Sequence, residues 1–142
     1  MKNKITVYPL DIVNKLAANT ILEVLDIKIT EVTEDHITGT MPVDKRTHQV
    51  FGILHGGASV VLAETLGSLG ASLTVDQTKF RCVGLDINAN HLKAVKTGLV
   101  TGTAKPIHTG RSTQVWQIEI KNDAGEMVCI SRLTIAVVPI EK

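Results

Sequence analysis

The sequence predicts an α+β fold, an antiparallel sheet wrapped around one long central helix. The first observation behind it is an apolar stretch, Gly56 to about Leu73, rich in Ala, Leu, Val and Gly and broken by one carboxylate, Glu64. It reads as a helix buried nearly all round. The second is a series of four strand-like segments after that helix, each bounded by turn residues. The third is a shorter strand–turn–strand pattern before it. A strongly twisted sheet can curl around a single such helix.

In chain order, Pro9 to Ala18 carries apolar residues at Leu10, Ile12, Val13, Leu16 and Ala17. That spacing predicts a short amphipathic helix started by Pro9 and Asp11. Leu22 to Leu25 fits helix or strand. Asp26 to Val32 alternates, with Ile27, Ile29 and Glu31 on one side and Lys28, Thr30 and Val32 on the other. Glu34-Asp35 turns the chain, and His36 to Val43 returns as the second strand of a hairpin. Asp44 to Leu54 is a loop leading into the central helix.

Arg81 to Leu92 then alternates, Val83, Leu85, Ile87 and Ala89 opposite Gly84, Asp86, Asn88 and Asn90. Leu99 to Ile107 follows a Thr97-Gly98 turn. Thr113 to Lys121 places Trp116, Ile118 and Ile120 on one face. Asn122 to Gly125 is a strong turn, and Met127 to Val138 closes the sheet. No repeat, low-complexity tract or linker interrupts the 142 residues, so one domain, 1–142, with a sizeable core is expected.

A formal net charge of +1 argues against a general nucleic-acid binder, and the scarce aromatics (Phe51, Phe80, Tyr8 and Trp116) against base stacking. Cys82 and Cys129 fall in strand-like runs and read as buried free thiols of a reducing compartment, with a disulfide as the alternative. Tyr8, Pro9 and Asp11 interrupt any apolar leader after Lys2 and Lys4, and no run is long enough to cross a bilayer. A cytoplasmic location and no membrane partner are expected. Scattered histidines and the lack of a Cys-x-x-Cys pair predict no metal centre.

The loop and helix start read Gln49…His55-Gly56-Gly57…Glu64. This constellation is similar to the active-site motif of hotdog-fold acyl-CoA thioesterases. The likeness continues through Val83 to His91, Lys105 to Arg111 and Gln114 to Ile120, and covers nearly the whole chain. It points to the branch of the phenylacetate-degradation and Arthrobacter-type 4-hydroxybenzoyl-CoA thioesterases. Within that branch the sequence most resembles the 1,4-dihydroxy-2-naphthoyl-CoA hydrolases of menaquinone synthesis. Thr74 to Arg81 departs from those enzymes by about one extra residue.

Thioester hydrolysis needs an activated water or an attacking carboxylate, and fixed donors for the charge that grows on the carbonyl oxygen. Glu64 is the candidate base or nucleophile, because a buried ionisable group is costly unless it is partnered or used; a structural carboxylate is the plainer alternative. Gly56 and Gly57 open the helix, where N–H groups lack internal partners and the dipole favours an anion. The Gly56 N–H is therefore the candidate oxyanion donor, and close packing of helix on sheet is the plainer reading. Gln49 can hydrogen-bond the attacking water or the thioester. His55 either orients the thioester or holds the loop. Ser68, one turn beyond Glu64, either meets the acyl group or bonds back to its own helix.

Lys93, Lys96, Lys105, His108 and Arg111 give the second half local basic character suited to phosphates. The resemblance implies a coenzyme A ester as substrate with no cofactor. It lays the pantetheine and nucleotide along Gly84, along His91, Leu92, Lys93 and Ala94, and along His108, Thr109, Gly110, Arg111, Ser112 and Thr113. Gly56 and Glu64 are eight residues apart, about 12 Å along a helix, too far to grip one carbonyl. Two helices antiparallel about a two-fold axis bring each Glu64 to the other chain's Gly56 and Gln49. The resemblance likewise implies a homodimer with composite sites, commonly paired again into a homotetramer. A hotdog 3-hydroxyacyl-thioester dehydratase and a non-catalytic acyl-CoA-binding protein are the alternatives; the Gln49–Glu64 spacing ranks the hydrolase first.

Overall fold

A computed structural model describes residues 3–141; Met1, Lys142 and Lys2, the last weighed above for a leader, lie outside the described residues. The elements are α1 (Leu10–Asn14) running into a 3-10 turn (Lys15–Ala17), α2 (Ile21–Val24), β1 (Lys28–Val32), β2 (Ile37–Pro42), α3 (Gly56–Ser72), β3 (Phe80–His91), β4 (Leu99–Thr109), β5 (Thr113–Lys121) and β6 (Met127–Pro139). The strands form one sheet in the order β1-β2-β4-β5-β6-β3, every neighbouring pair antiparallel. The expected sheet wrapped around a central helix is what the chain forms.

Pro9 precedes α1 with φ −55° and Asp11 stands in its first turn, and no side chain caps that helix. The undecided stretch after it becomes α2, capped by Thr20, whose hydroxyl accepts the Leu22 N–H. Asn14 reaches across to β1, its Nδ2 donating to the Ile29 carbonyl and its Oδ1 accepting the Ile29 N–H, both at 2.9 Å.

The core is the space between α3 and the sheet. Leu62, Ala63, Leu66 and Ala71 are fully buried against Trp116, Ile118, Leu133 and Ile135. Small residues set the approach: a Cβ at Gly67 would lie 2.7 Å from Leu133 Cδ2, and one at Gly70 2.7 Å from Trp116 Cζ3. Trp116 Nε1 donates to buried Gln114, whose amide donates to the Thr74 hydroxyl just beyond the end of α3. That polar chain fixes the helix end to β5 and gives the buried indole N–H its acceptor.

Three expectations about faces are corrected. A bulge between Ile29 and Glu31 flips the rest of β1, so Val32 is buried beside Ile29 and Glu31 is exposed. A second bulge, at Leu85, puts Val83 and Leu85 out of line with Ile87 and Ala89, and both are exposed. Each bulge adds one unpaired residue, which reverses a two-residue period. Finally, α3 is not buried all round: Ser59, Leu62, Ala63, Leu66, Gly67, Gly70 and Ala71 form one buried stripe. Val60, Val61, Glu64, Thr65, Ser68, Leu69 and Ser72 remain half-buried on the flanks and outward face.

Cys129 is buried and Cys82 half-buried, and both are free thiols. No helix among the described residues is long and apolar enough to cross a membrane.

Candidate active site

The loop between β2 and α3 is braced before it reaches the candidate residues. The Thr47 hydroxyl donates to the Pro42 carbonyl, and the Thr47 and His48 N–H groups donate to the Asp44 carbonyl. The Arg46 guanidinium beside Asp44 holds that carboxyl down at about 2. His48 and Leu54 then pair as an isolated bridge. Between them Gln49 donates its N–H to the Ile53 carbonyl, and Gly52, at φ +75°, donates back to Gln49.

Two side chains are oriented by these turns. Gln49 Oε1 accepts the Phe51 N–H. An N–H can be met only by the oxygen of the amide, so Gln49 presents its NH₂ end as a donor. His55 is the N-cap of α3, its Nδ1 accepting the Gly57 N–H at 2.7 Å. The loop-holding reading of His55 is therefore the one the geometry displays. Because His55 occupies the Gly57 N–H, the Gly56 N–H is left as the unpartnered donor at the helix start among the described residues.

Gln49, Gly56, Ser59, His91, Leu92, Lys93 and Ala94 line one cavity of about 320 Å³. A Cβ at Gly56 would lie 2.8 Å from His91 Nε2, so the glycine makes room for that ring. Ser59 was missed by sequence reasoning. Its signal was a hydroxyl three residues after Gly56, on the same helix face.

Glu64 is absent from that lining. Its carboxylate lies instead against Gly84, where a Cβ would come 2.8 Å from Oε1. The ion pairs of the described residues are Lys4–Glu34, Lys28–Asp26, His36–Glu31, Arg46–Asp44, Lys79–Asp76 and Lys93–Glu126, and Glu64 joins none. One chain thus sets Glu64 with Gly84 in one place and Gln49 with Gly56 and His91 in another. Ser68 follows Glu64 on the half-buried outward face.

The basic residues do not form one cluster within a chain. Lys93 is paired with Glu126, which that ammonium holds below the usual carboxylate range. Lys93 and Lys96 precede β4, whereas His108 lies one residue before its end and Arg111 follows it, with Lys105 between. Eleven residues of strand separate the two ends by roughly 35 Å. His108 to Thr113 form the tight β4–β5 turn, in which the Gly110 N–H donates to the Thr113 carbonyl.

A six-stranded antiparallel sheet around one helix is the hotdog fold, here with an unpartnered N–H and a glutamine amide at the helix start and an unpaired glutamate two turns on. The chain belongs to the thioesterase superfamily, whose profile matches residues 51–129. It is a thioester hydrolase.

It is 46% identical over 136 residues to a 1,4-dihydroxy-2-naphthoyl-CoA hydrolase of Escherichia coli, spanning 96% of this chain and 97% of the relative. It is equally 46% identical, over 128 residues, to the proofreading thioesterase EntH of Cronobacter turicensis, spanning 90% and 93%. The crystal structure of a mutant of the thioesterase PA1618 from Pseudomonas aeruginosa superposes with a TM-score of 0.95 at 47% identity, covering 98% of this chain and all of that one.

Proposed function

We propose that the enzyme hydrolyses an aromatic acyl-CoA, with 1,4-dihydroxy-2-naphthoyl-CoA the leading candidate, at sites built jointly by two protomers. The observation that carries the composite site is the separation just described, Glu64 against Gly84 at the middle of α3 and the donors at its start. The E. coli relative supports the naphthoyl substrate, and the whole-chain resemblance supports the aromatic-acyl branch. The unpaired edge of β3, twelve residues long, supports pairing with a second copy, and the resemblance extends this to a pair of dimers. The free thiols fit a reducing cytoplasm.

In this reading the Gly56 N–H and the Gln49 amide of one protomer hold the thioester oxygen. Glu64 of its partner either takes a proton from the attacking water or attacks the carbonyl carbon itself. The C–S bond breaks and coenzyme A leaves as thiol once a proton is returned; on the second route water then cleaves the Glu64 anhydride, releasing the acid and restoring the carboxylate. Coenzyme A runs along Gly84, His91 to Ala94 and the His108–Thr113 turn, with Arg111 at the phosphates. The acyl group passes Ser68 into an apolar cleft of about 620 Å³, floored by Leu69 and Leu73 and walled by Tyr8, Ile12 and Leu16.

The test is complementation. Glu64→Ala and Gln49→Ala are each expected to lose about a hundredfold or more in turnover. Refolded together in equal amounts they form half mixed dimers, each with one intact composite site, and recover roughly a quarter of wild-type activity. No recovery, with mixed dimers shown by native mass spectrometry, would mean that both residues serve within one chain.

A further inference from the structure

We propose that Phe51 is delivered across the dimer as a wall of the partner's acyl compartment, where it selects among acyl groups. The inference rests on the composite site proposed above and extends it to a residue outside the donor set.

Val50 and Phe51 are 93% and 84% exposed, the most exposed large apolar side chains among the described residues. They stand at the apex of a turn that is not loose: Gln49 and Gly52 close it with backbone bonds of 2.9 Å, and His48 bridges Leu54 at its base. A rigid turn holding a phenyl ring in water is unfavourable unless another surface covers it. The Phe51 N–H also fixes the Gln49 amide, so the ring and the substrate-facing donor move as one unit.

The two-fold geometry says what covers the ring. With antiparallel helices, Gly56 of one protomer lies level with Glu64 of the other. Residues before Gly56 then lie level with residues after Glu64. Leu69 is about 7.5 Å further along the axis, and Leu73 about 13.5 Å. Ser68, Leu69 and Ser72 there are half-buried within one chain, and Leu69 lines the 620 Å³ cleft. Tyr8, Ile12 and Leu16 on that cleft are themselves exposed. An apolar apex and an apolar cleft thus meet at the level where the acyl group must sit.

Selectivity is read as kcat/KM for benzoyl-CoA against acetyl-CoA. Phe51→Ala is expected to lower the benzoyl-CoA value at least about tenfold and to leave the acetyl-CoA value within about twofold. Phe51→Leu, which keeps an apolar side chain at the apex, should fall between the two. Equal losses on both substrates, or none, in variants that remain dimeric would overturn the proposal.

The trans delivery is tested by pairing. In mixed dimers of a Glu64→Ala chain with a Phe51→Ala chain, the one live site has Glu64 from the second chain and Phe51 from the first, so wild-type selectivity is expected. In mixed dimers of wild type with a Glu64→Ala/Phe51→Ala chain, the one live site takes its apex from the doubly substituted chain and lacks the phenyl ring. Its selectivity should be that of Phe51→Ala. The reverse pattern would place Phe51 in its own chain's site. Success of the Glu64/Gln49 complementation alongside failure here would reject this inference alone; failure of that complementation would reject the composite site itself.

Discussion

Replacing Gly84 with alanine places a methyl group 2.8 Å from Glu64 Oε1, with Glu64 Cδ and Leu133 Cδ1 both at 3.9 Å. Gly84 is not among the glycines with positive φ, so the backbone accepts alanine. To reach ordinary contact at 3.4 Å, the carboxylate must withdraw by about 0.6 Å. The displaced group is the far end of a half-buried side chain, so the stability cost is small. The cost to chemistry is larger, because a 1 Å misplacement can lose about a hundredfold in rate. Scaled to this shift, kcat should fall about tenfold, a barrier increase of about 1.4 kcal/mol. The assay is thiol release at saturating acyl-CoA, with the melting temperature measured beside it. Gly67→Ala is the contrast. Its methyl would lie 2.7 Å from Leu133 Cδ2 in the packed core. Such overpacking costs about 1–3 kcal/mol and should lower Tm by several degrees while sparing turnover per folded molecule. A Gly84→Ala enzyme with unchanged kcat, or with only a raised KM, would refute the reasoning that Gly84 makes room for a working Glu64.

His55→Ala removes the N-cap of α3 and should cost about 1 kcal/mol in denaturant unfolding; an unchanged midpoint would show the cap is immaterial. Arg111→Ala should weaken acyl-CoA esters while hardly changing a short thioester without the nucleotide; equal losses on both would exclude a phosphate role. Burial pushes both cysteine thiols up, so thiolate is scarce near neutrality. Alkylation in the native state should be slower than that of glutathione at pH 8 and still climbing above pH 9; a plateau below pH 9 would contradict this.

Element order was readable because long runs carry strong signals, such as α3 between its glycines and β5 from Thr113 to Lys121. Which residues share a face was less readable. The bulges after Ile29 and at Leu85 each insert one residue, and alternation alone gives no mark of where a strand absorbs it. The buried chain Trp116–Gln114–Thr74 was also hidden, since a glutamine two residues from a tryptophan looks like any strand polar residue until the helix end is placed over it. The candidate residues Gln49, Gly56 and Glu64 were legible through their likeness to the thioesterase motif. Their separation within one chain followed from helix rise. The orientation of the Gln49 amide did not, because it depends on the Phe51 N–H that a turn happens to point at it.

The Asn14 amide bonded to both backbone groups of Ile29 has a consequence for how many copies can join. It imitates a neighbouring strand at one residue of the β1 margin, so that point of the edge is already satisfied, whereas β3 is the other edge strand of the sheet. A strand edge whose N–H and C=O groups are free can template the addition of another copy, and one whose groups are already met cannot. Asn14 therefore blunts β1 at Ile29 as a template for a further strand. An Asn14→Ala protein should keep its catalytic apparatus yet form higher, concentration-dependent species on gentle warming, read by light scattering; an unchanged scattering profile would contradict this.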